Sequence, residues 1–103
     1  MKTMVQHTVR DYDFWKTVFD EHEEVRAKYG STGHTIYRSA DSPNDLTLII
    51  DYESRERAEE FLKDPTFAEA MKRAGVVSEP RFTWLEEADV STYATKAKAH
   101  QSA

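Results

Sequence analysis

The hydrophobic period of this chain switches between two residues and about 3.6, and the order of the switches leaves few folds open. Residues 46–53, LTLIIDYE, place Leu46, Leu48, Ile50 and Tyr52 on one side and Thr47, Ile49 and Asp51 on the other. That alternation is a strand. Residues 3–9, TMVQHTV, set Val5, His7 and Val9 against Met4, Gln6 and Thr8. Residues 34–39, HTIYRS, set His34, Ile36 and Arg38 against Thr35, Tyr37 and Ser39, and in residues 81–86, RFTWLE, Phe82 and Trp84 share a face. Between the second and third of these strands lies ADSPND, whose Pro43 and Asx residues favour a tight turn, so the two pair as a hairpin.

Two helical stripes separate the strands. Phe14, Val18, His22, Val25 and Tyr29 recur at steps of four, four, three and four, and Trp15 and Phe19 widen the stripe. Asp11 or Asp13 caps this helix, and Gly30 stops it. After the hairpin, Ser54 caps a helix that turns Ala58, Phe61 and Leu62 inward. Asp64 and Pro65 restart that helix as N-cap and first helical residue, Phe67, Ala70, Met71 and Ala74 continue its stripe, and Gly75 ends it. The order β-α-β-β-α-β predicts an α+β, ferredoxin-like domain: one antiparallel sheet with both helices on one face. The helices take the side of the sheet that carries Leu46, Leu48, Ile50, Val5, His7 and Val9. The other side keeps Met4, Ile49, Tyr37 and part of the last strand. An apolar patch of that kind marks an interface, so a homodimer with sheets packed face to face is expected.

Composition bounds the function. With 103 residues the chain is one domain, read as residues 1–88, with a flexible tail over 89–103 in which Val90, Tyr93, Ala94 and Ala97 form only a weak helical stripe. There is no cysteine, which removes disulfides, thiolate nucleophiles and Cys-based metal sites. The net charge of −5 and the dispersed Lys and Arg speak against nucleic acid as a partner. No apolar run suits a membrane helix, and the first residues lack the apolar core of a leader peptide, so a cytoplasmic protein is expected.

Three segments carry a family resemblance: HTVRDYDFWKTVFDEHEEVR (7–26), GHTIYRSADSPNDLTLIIDYESRERAEEFLKDP (33–65) and AMKRAGVVSEPRFTWLEEAD (70–89). Together they resemble small actinobacterial proteins of the dimeric α+β barrel superfamily, which are described as cyclase-like or as relatives of the antibiotic biosynthesis monooxygenases. The resemblance covers most of the chain. It implies a dimer of ferredoxin-like subunits, a pocket between sheet and helices, and frequent absence of a cofactor. Superfamily members include oxygenases of aromatic polyketides, polyketide cyclases, haem-degrading enzymes and proteins without known activity, and fold alone does not choose among them.

The residues suggest how such a pocket would work. His7, mid-strand on the helix side, is the first candidate base, because imidazole titrates near neutrality. His22, in the apolar stripe of the first helix, is expected to approach His7 and to act as its partner or as the acid, with mutual repulsion lowering one pKa. Tyr37 and Tyr52 are candidate donors to a substrate carbonyl. Trp15, Phe19 and Trp84 would wall the site, with His34 and Arg38 as further binding residues. His100 lies in the tail and is set aside. No short-range His or carboxylate spacing forms a metal motif, and there is neither a phosphate loop nor a nucleophile elbow, so no metal and no cofactor are expected. The leading expectation is an enzyme that uses histidine-assisted proton transfer on a small aromatic or polyketide-like ligand, as a cyclase, isomerase or cofactor-free monooxygenase. The alternatives are a non-catalytic binding or stress-type module and a haem-binding or haem-degrading protein.

Overall fold

A computed structural model describes residues 1–94. The chain runs β1 (Lys2–Thr8), α1 (Tyr12–Glu21), α2 (Glu23–Lys28), β2 (Ser31–Arg38), β3 (Asp45–Tyr52), α3 (Arg55–Leu62), α4 (Pro65–Arg73) and β4 (Arg81–Leu85). The strands form one antiparallel sheet in the order β2-β3-β1-β4, and the fold is α+β and ferredoxin-like, as expected.

Register explains which side chains meet. Val5 faces Leu48 on β3 and Phe82 on β4; Thr3 faces Ile50 and Trp84; His7 faces Leu46. One inward set on β1 is therefore continued across the sheet at each level. Val5, Val9, Leu46, Leu48, Ile50 and Tyr52 join Trp15, Val18, Phe19, Ala58, Phe61 and Ala74 in the buried core. The caps follow the sequence: Asp11 accepts from the Phe14 N–H at 3.3 Å, Ser54 from that of Arg57 at 3.2 Å, and Asp64 from that of Thr66 at 2.8 Å. Gly30 and Gly75 end their helices at φ +92° and +81°, where a Cβ would be strained.

Three details differ from expectation. The first helix is not continuous: His22, at φ −92° and ψ 6°, divides it into α1 and α2. There the His22 N–H is shared between the Val18 and Phe19 carbonyls, each at 3.2 Å, which tightens the turn. Phe14 is 52% exposed, because Trp15, one residue round the helix, takes the core position instead. Strand β2 begins at Ser31, three residues before His34, through a register shift between Ser31 and Gly33. Residues 86–94 form neither helix nor strand, and Val90 and Tyr93 are exposed. Ala97 and His100 lie outside the described residues.

The outer face of the sheet carries half-buried Met4 and Ile49, opposite each other across β1 and β3, together with Leu85 and exposed Tyr37, among Thr35, Thr47, Gln6 and Thr83. No helix of the described residues is long and apolar enough to cross a membrane.

Candidate functional site

A cavity of about 70 Å³ lies between the sheet and the helices. Its floor is the inward set of β1, β3 and β4, and its roof comes from α1, α2, α3 and α4. Most of its wall is apolar or aromatic. A line of rings crosses it: His7 meets Trp15 edge-on at 5.8 Å, Trp15 stacks on Phe19 at 4.9 Å, and the Arg26 guanidinium lies 3.6 Å above the Phe19 ring.

The polar atoms that reach this cavity are unusual in lacking partners. His7 is 8% exposed, and among the described residues neither ring nitrogen has a hydrogen-bond partner. Burial alone lowers its pKa to about 4, so the ring is neutral at pH 7. Thr3 Oγ1, further along the same strand face, is also buried without a partner. Tyr52 is buried, and burial raises its phenol to about 12, which keeps the hydroxyl protonated as a donor. Arg26 is 4% exposed. Its Nη1 donates to the Phe19 carbonyl at 2.9 Å, while Nη2 is buried without an acceptor. Leaving buried polar groups unpaired costs about 1–3 kcal/mol each, more for a charge, so the groups gathered around this hollow are ones that a water or a ligand would satisfy.

His22 also lines the cavity, in a different neighbourhood. Its ring lies 5.8 Å from Phe61, and Nε2 is 3.1 Å from Thr66 Oγ1. Thr66 in turn donates to Asp64, which accepts from the Tyr29 hydroxyl at 2.7 Å. These hydrogen bonds, that from the Thr66 hydroxyl foremost, hold the Asp64 carboxyl at a pKa of about 2. The group is a clasp between the α1/α2 break and the start of α4. Burial, and then the Arg26 charge, lowers the His22 pKa.

The expected residues thus divide. His7, His22, Tyr52, Trp15, Phe19 and Trp84 all border the cavity. The two histidines, however, do not form the expected mutually repelling pair: burial is the sole cause of the shift at His7, and His7 is absent from the charges acting on His22. The reason is spacing, since His22 lies seven residues, about 10 Å of helix, beyond the Trp15 that His7 touches. Tyr37 is 57% exposed on the outer face of the sheet, because β2 alternation opposes it to Ile36. His34 is exposed, with its ring edge on Phe19 at 4.9 Å, and borders a separate outer cleft. Arg38 is exposed as well, stacked 4.1 Å over Tyr12 and donating to the Pro43 carbonyl at 2.9 Å. For His34 and Arg38 the strand face is right, but β2 is an edge strand that the helices do not cover.

Sequence reasoning missed Arg26 and Thr3. The signal for Arg26 was its place in the series Trp15, Phe19, His22, Arg26, at steps of four, three and four. A charged residue on the core face of a helix is either snorkelling or bound. Among the described residues no three His, Asp or Glu side chains gather as a metal site. His22 spends Nε2 on Thr66, so that ring is not a free axial ligand for a haem.

No family model matches the chain, and no curated protein is similar to it in sequence. Solved structures are similar in fold. A protein from Bordetella bronchiseptica assigned as an antibiotic biosynthesis monooxygenase superposes with a TM-score of 0.72 at 16% identity, covering 84% of this chain and 95% of the other. SnoaB, a cofactor-independent oxygenase from Streptomyces nogalater, gives 0.67 at 20% identity over 84% of this chain and 93% of its own. A protein of the same assignment from Caulobacter crescentus gives 0.68 at 16% identity, over 85% and 89%. The chain therefore has the ferredoxin-like α+β fold that these solved structures share.

Proposed function

We propose that the chain is a small-molecule enzyme in which His7 removes a proton from an acidic C–H or phenol of a flat aromatic or polyketide-like ligand. The observation that carries this reading is the His7 ring itself: buried, neutral at pH 7, with both nitrogens free, on the wall of an aromatic cavity. A neutral imidazole in that position accepts a proton without first breaking a hydrogen bond. Trp15 and Phe19 supply the stacking surface. Tyr52 donates a hydrogen bond to a ligand oxygen that gains charge as the proton leaves, and His22 serves the far end of the cavity as a separate polar group.

The anion so formed has two fates. Reprotonation or ring closure on a neighbouring carbonyl gives an isomerase or cyclase. Reaction with O₂ gives an oxygenase: a methylene loses both hydrogens, one oxygen atom stays as the new carbonyl, the other leaves as water, and the electrons come from the substrate. The similarity in fold to SnoaB favours the second fate. The same reading includes a homodimer closed through Met4, Ile49, Leu85 and Tyr37.

The test is turnover of a panel of anthrones and fused-ring phenols, followed by absorbance with an oxygen electrode in parallel. His7→Phe is expected to lower kcat/KM by about 10²–10⁴-fold, and one O₂ consumed per turnover identifies the oxygenase. A His7→Phe protein that matches the wild type on every substrate turned over overturns the assignment. Binding without any rate enhancement makes the cavity a binding module instead.

A further inference from the structure

One buried group has no part in that proton transfer. Arg26 is more than nine-tenths buried, yet among the described residues no carboxylate pairs with it. Its close contacts are one backbone carbonyl, that of Phe19 at 2.9 Å, and the face of the Phe19 ring at 3.6 Å, while Glu23 and Asp20 act on its charge without forming an ion pair. Burying an ion without a counter-ion is strongly unfavourable, and a guanidinium cannot escape by losing its proton. We propose that Arg26 binds a carboxylate of the ligand, so that the substrate is a flat aromatic acid held by its charged end at Arg26 with its reacting carbon at His7. The proposal rests on the reading of His7 as the base and specifies the class of molecule that base acts on.

Three observations fix the class. The free Nη2, beside an Nη1 already held by protein, presents a donor edge that a planar carboxylate oxygen accepts. Among the described residues Arg26 is the only Lys or Arg on the cavity wall, so the site neutralises a single charge, which suits a carboxylate and not a phosphate dianion. The rings of Trp15 and Phe19 connect His7 to Arg26, and Thr3, four residues along β1 from His7, adds a free hydroxyl about 13 Å away between α-carbons. A ligand spanning that line is several fused rings long. Arg26 also borders the outer cleft of about 460 Å³ formed with Glu23, Ser31, Gly33 and His34, and among the described residues it is the one common to cleft and cavity. The charged end therefore lies toward the surface and the apolar body inside.

The probe is anthraquinone-2-carboxylate against its methyl ester, followed by quenching of tryptophan emission, since both Trp15 and Trp84 line the cavity and the chain has no other tryptophan. The wild type is expected to bind the acid at least about tenfold more tightly than the ester at pH 7. Arg26→Met removes that preference while leaving ester affinity within about twofold, and Arg26→Lys retains part of it. His7→Phe lowers turnover by the same factor of about 10²–10⁴ but keeps the preference for the acid, so loss of the base and loss of the anchor read out separately. Equal wild-type affinity for acid and ester, binding of neither probe at millimolar concentration, or an acid preference that survives Arg26→Met overturns the proposal. If Arg26→Met does not fold, the wild-type ratio and Arg26→Lys decide it.

Discussion

At the scale of the residue, His7 couples stability to pH. Its folded pKa of about 4 lies below the ordinary 6.5, so between those values the unfolded chain binds more protons than the folded one. Stability therefore falls as pH drops from 6.5 toward 4, by about 3 kcal/mol for this group. Urea titrations at pH 7 and pH 4.5 are expected to show a smaller loss in His7→Phe than in the wild type. A residual slope remains from His22 and His34, whose pKa values burial also lowers. At pH 7 the Phe variant is expected to be at least as stable as the wild type, because it removes two unpaired buried nitrogens. In kinetics, kcat/KM should lose activity on the acid side with a midpoint near pH 4. The kcat limb should lie higher, because a bound anion stabilises the imidazolium. A kcat/KM limb at 6.5 would mean that His7 is solvated during catalysis.

At the scale of the element, α4 is the weak part of the roof. It has no buried residue, although Phe67, Ala70 and Met71 border the cavity. Polar contacts tie it down: Asp64 with Thr66 and Tyr29, Thr66 with His22, and Arg73 with Glu21 at 3.0 Å. Asp64→Ala removes the cap and the Tyr29 bond together. Amide exchange over residues 65–73 is expected to speed up several-fold while β1 is unchanged, as measured by mass spectrometry. Because hydrogen bonds hold the Asp64 pKa near 2, its stabilising effect is present above the ordinary 3.8 and fades only as pH falls below that, distinct from the His7 window. This element scale was the most legible in the sequence. The caps at Ser54 and Asp64 and the stops at Gly30 and Gly75 are local chemistry, and local chemistry is what a single sequence records. The break at His22 was not legible, since it depends on sharing one N–H between two carbonyls with no proline or glycine to announce it. Nor was the solvation of β2: His34 and Arg38 follow the strand pattern faithfully, and only the sheet order puts them at an uncovered edge. Arg26 was hidden because a charged side chain reads as solvent-facing until its helical neighbours Phe19 and His22 are seen to be inside.

At the scale of the whole molecule, the two faces of the sheet have different tasks. One floors the cavity. The other offers Met4 and Ile49 as a cross-strand pair at its centre, with Leu85 and Tyr37 around them. Sedimentation or light scattering at micromolar concentration is expected to give a dimer, and Ile49→Lys a monomer with unchanged circular dichroism. A wild-type monomer would leave this face without its assigned task.

The bare nitrogens of His7 have one more consequence. Nothing in the described protein chooses between the two tautomers of that ring, so a hydrogen that arrives on Nδ1 does not have to depart from Nδ1. The imidazole has two open ports on a mostly apolar wall, and it can take a hydrogen from one atom of a bound molecule and return it to another without rotating. Such a ring would carry hydrogen between positions of the same guest, which makes its orientation, beside its basicity, a quantity that the surrounding aromatic wall controls.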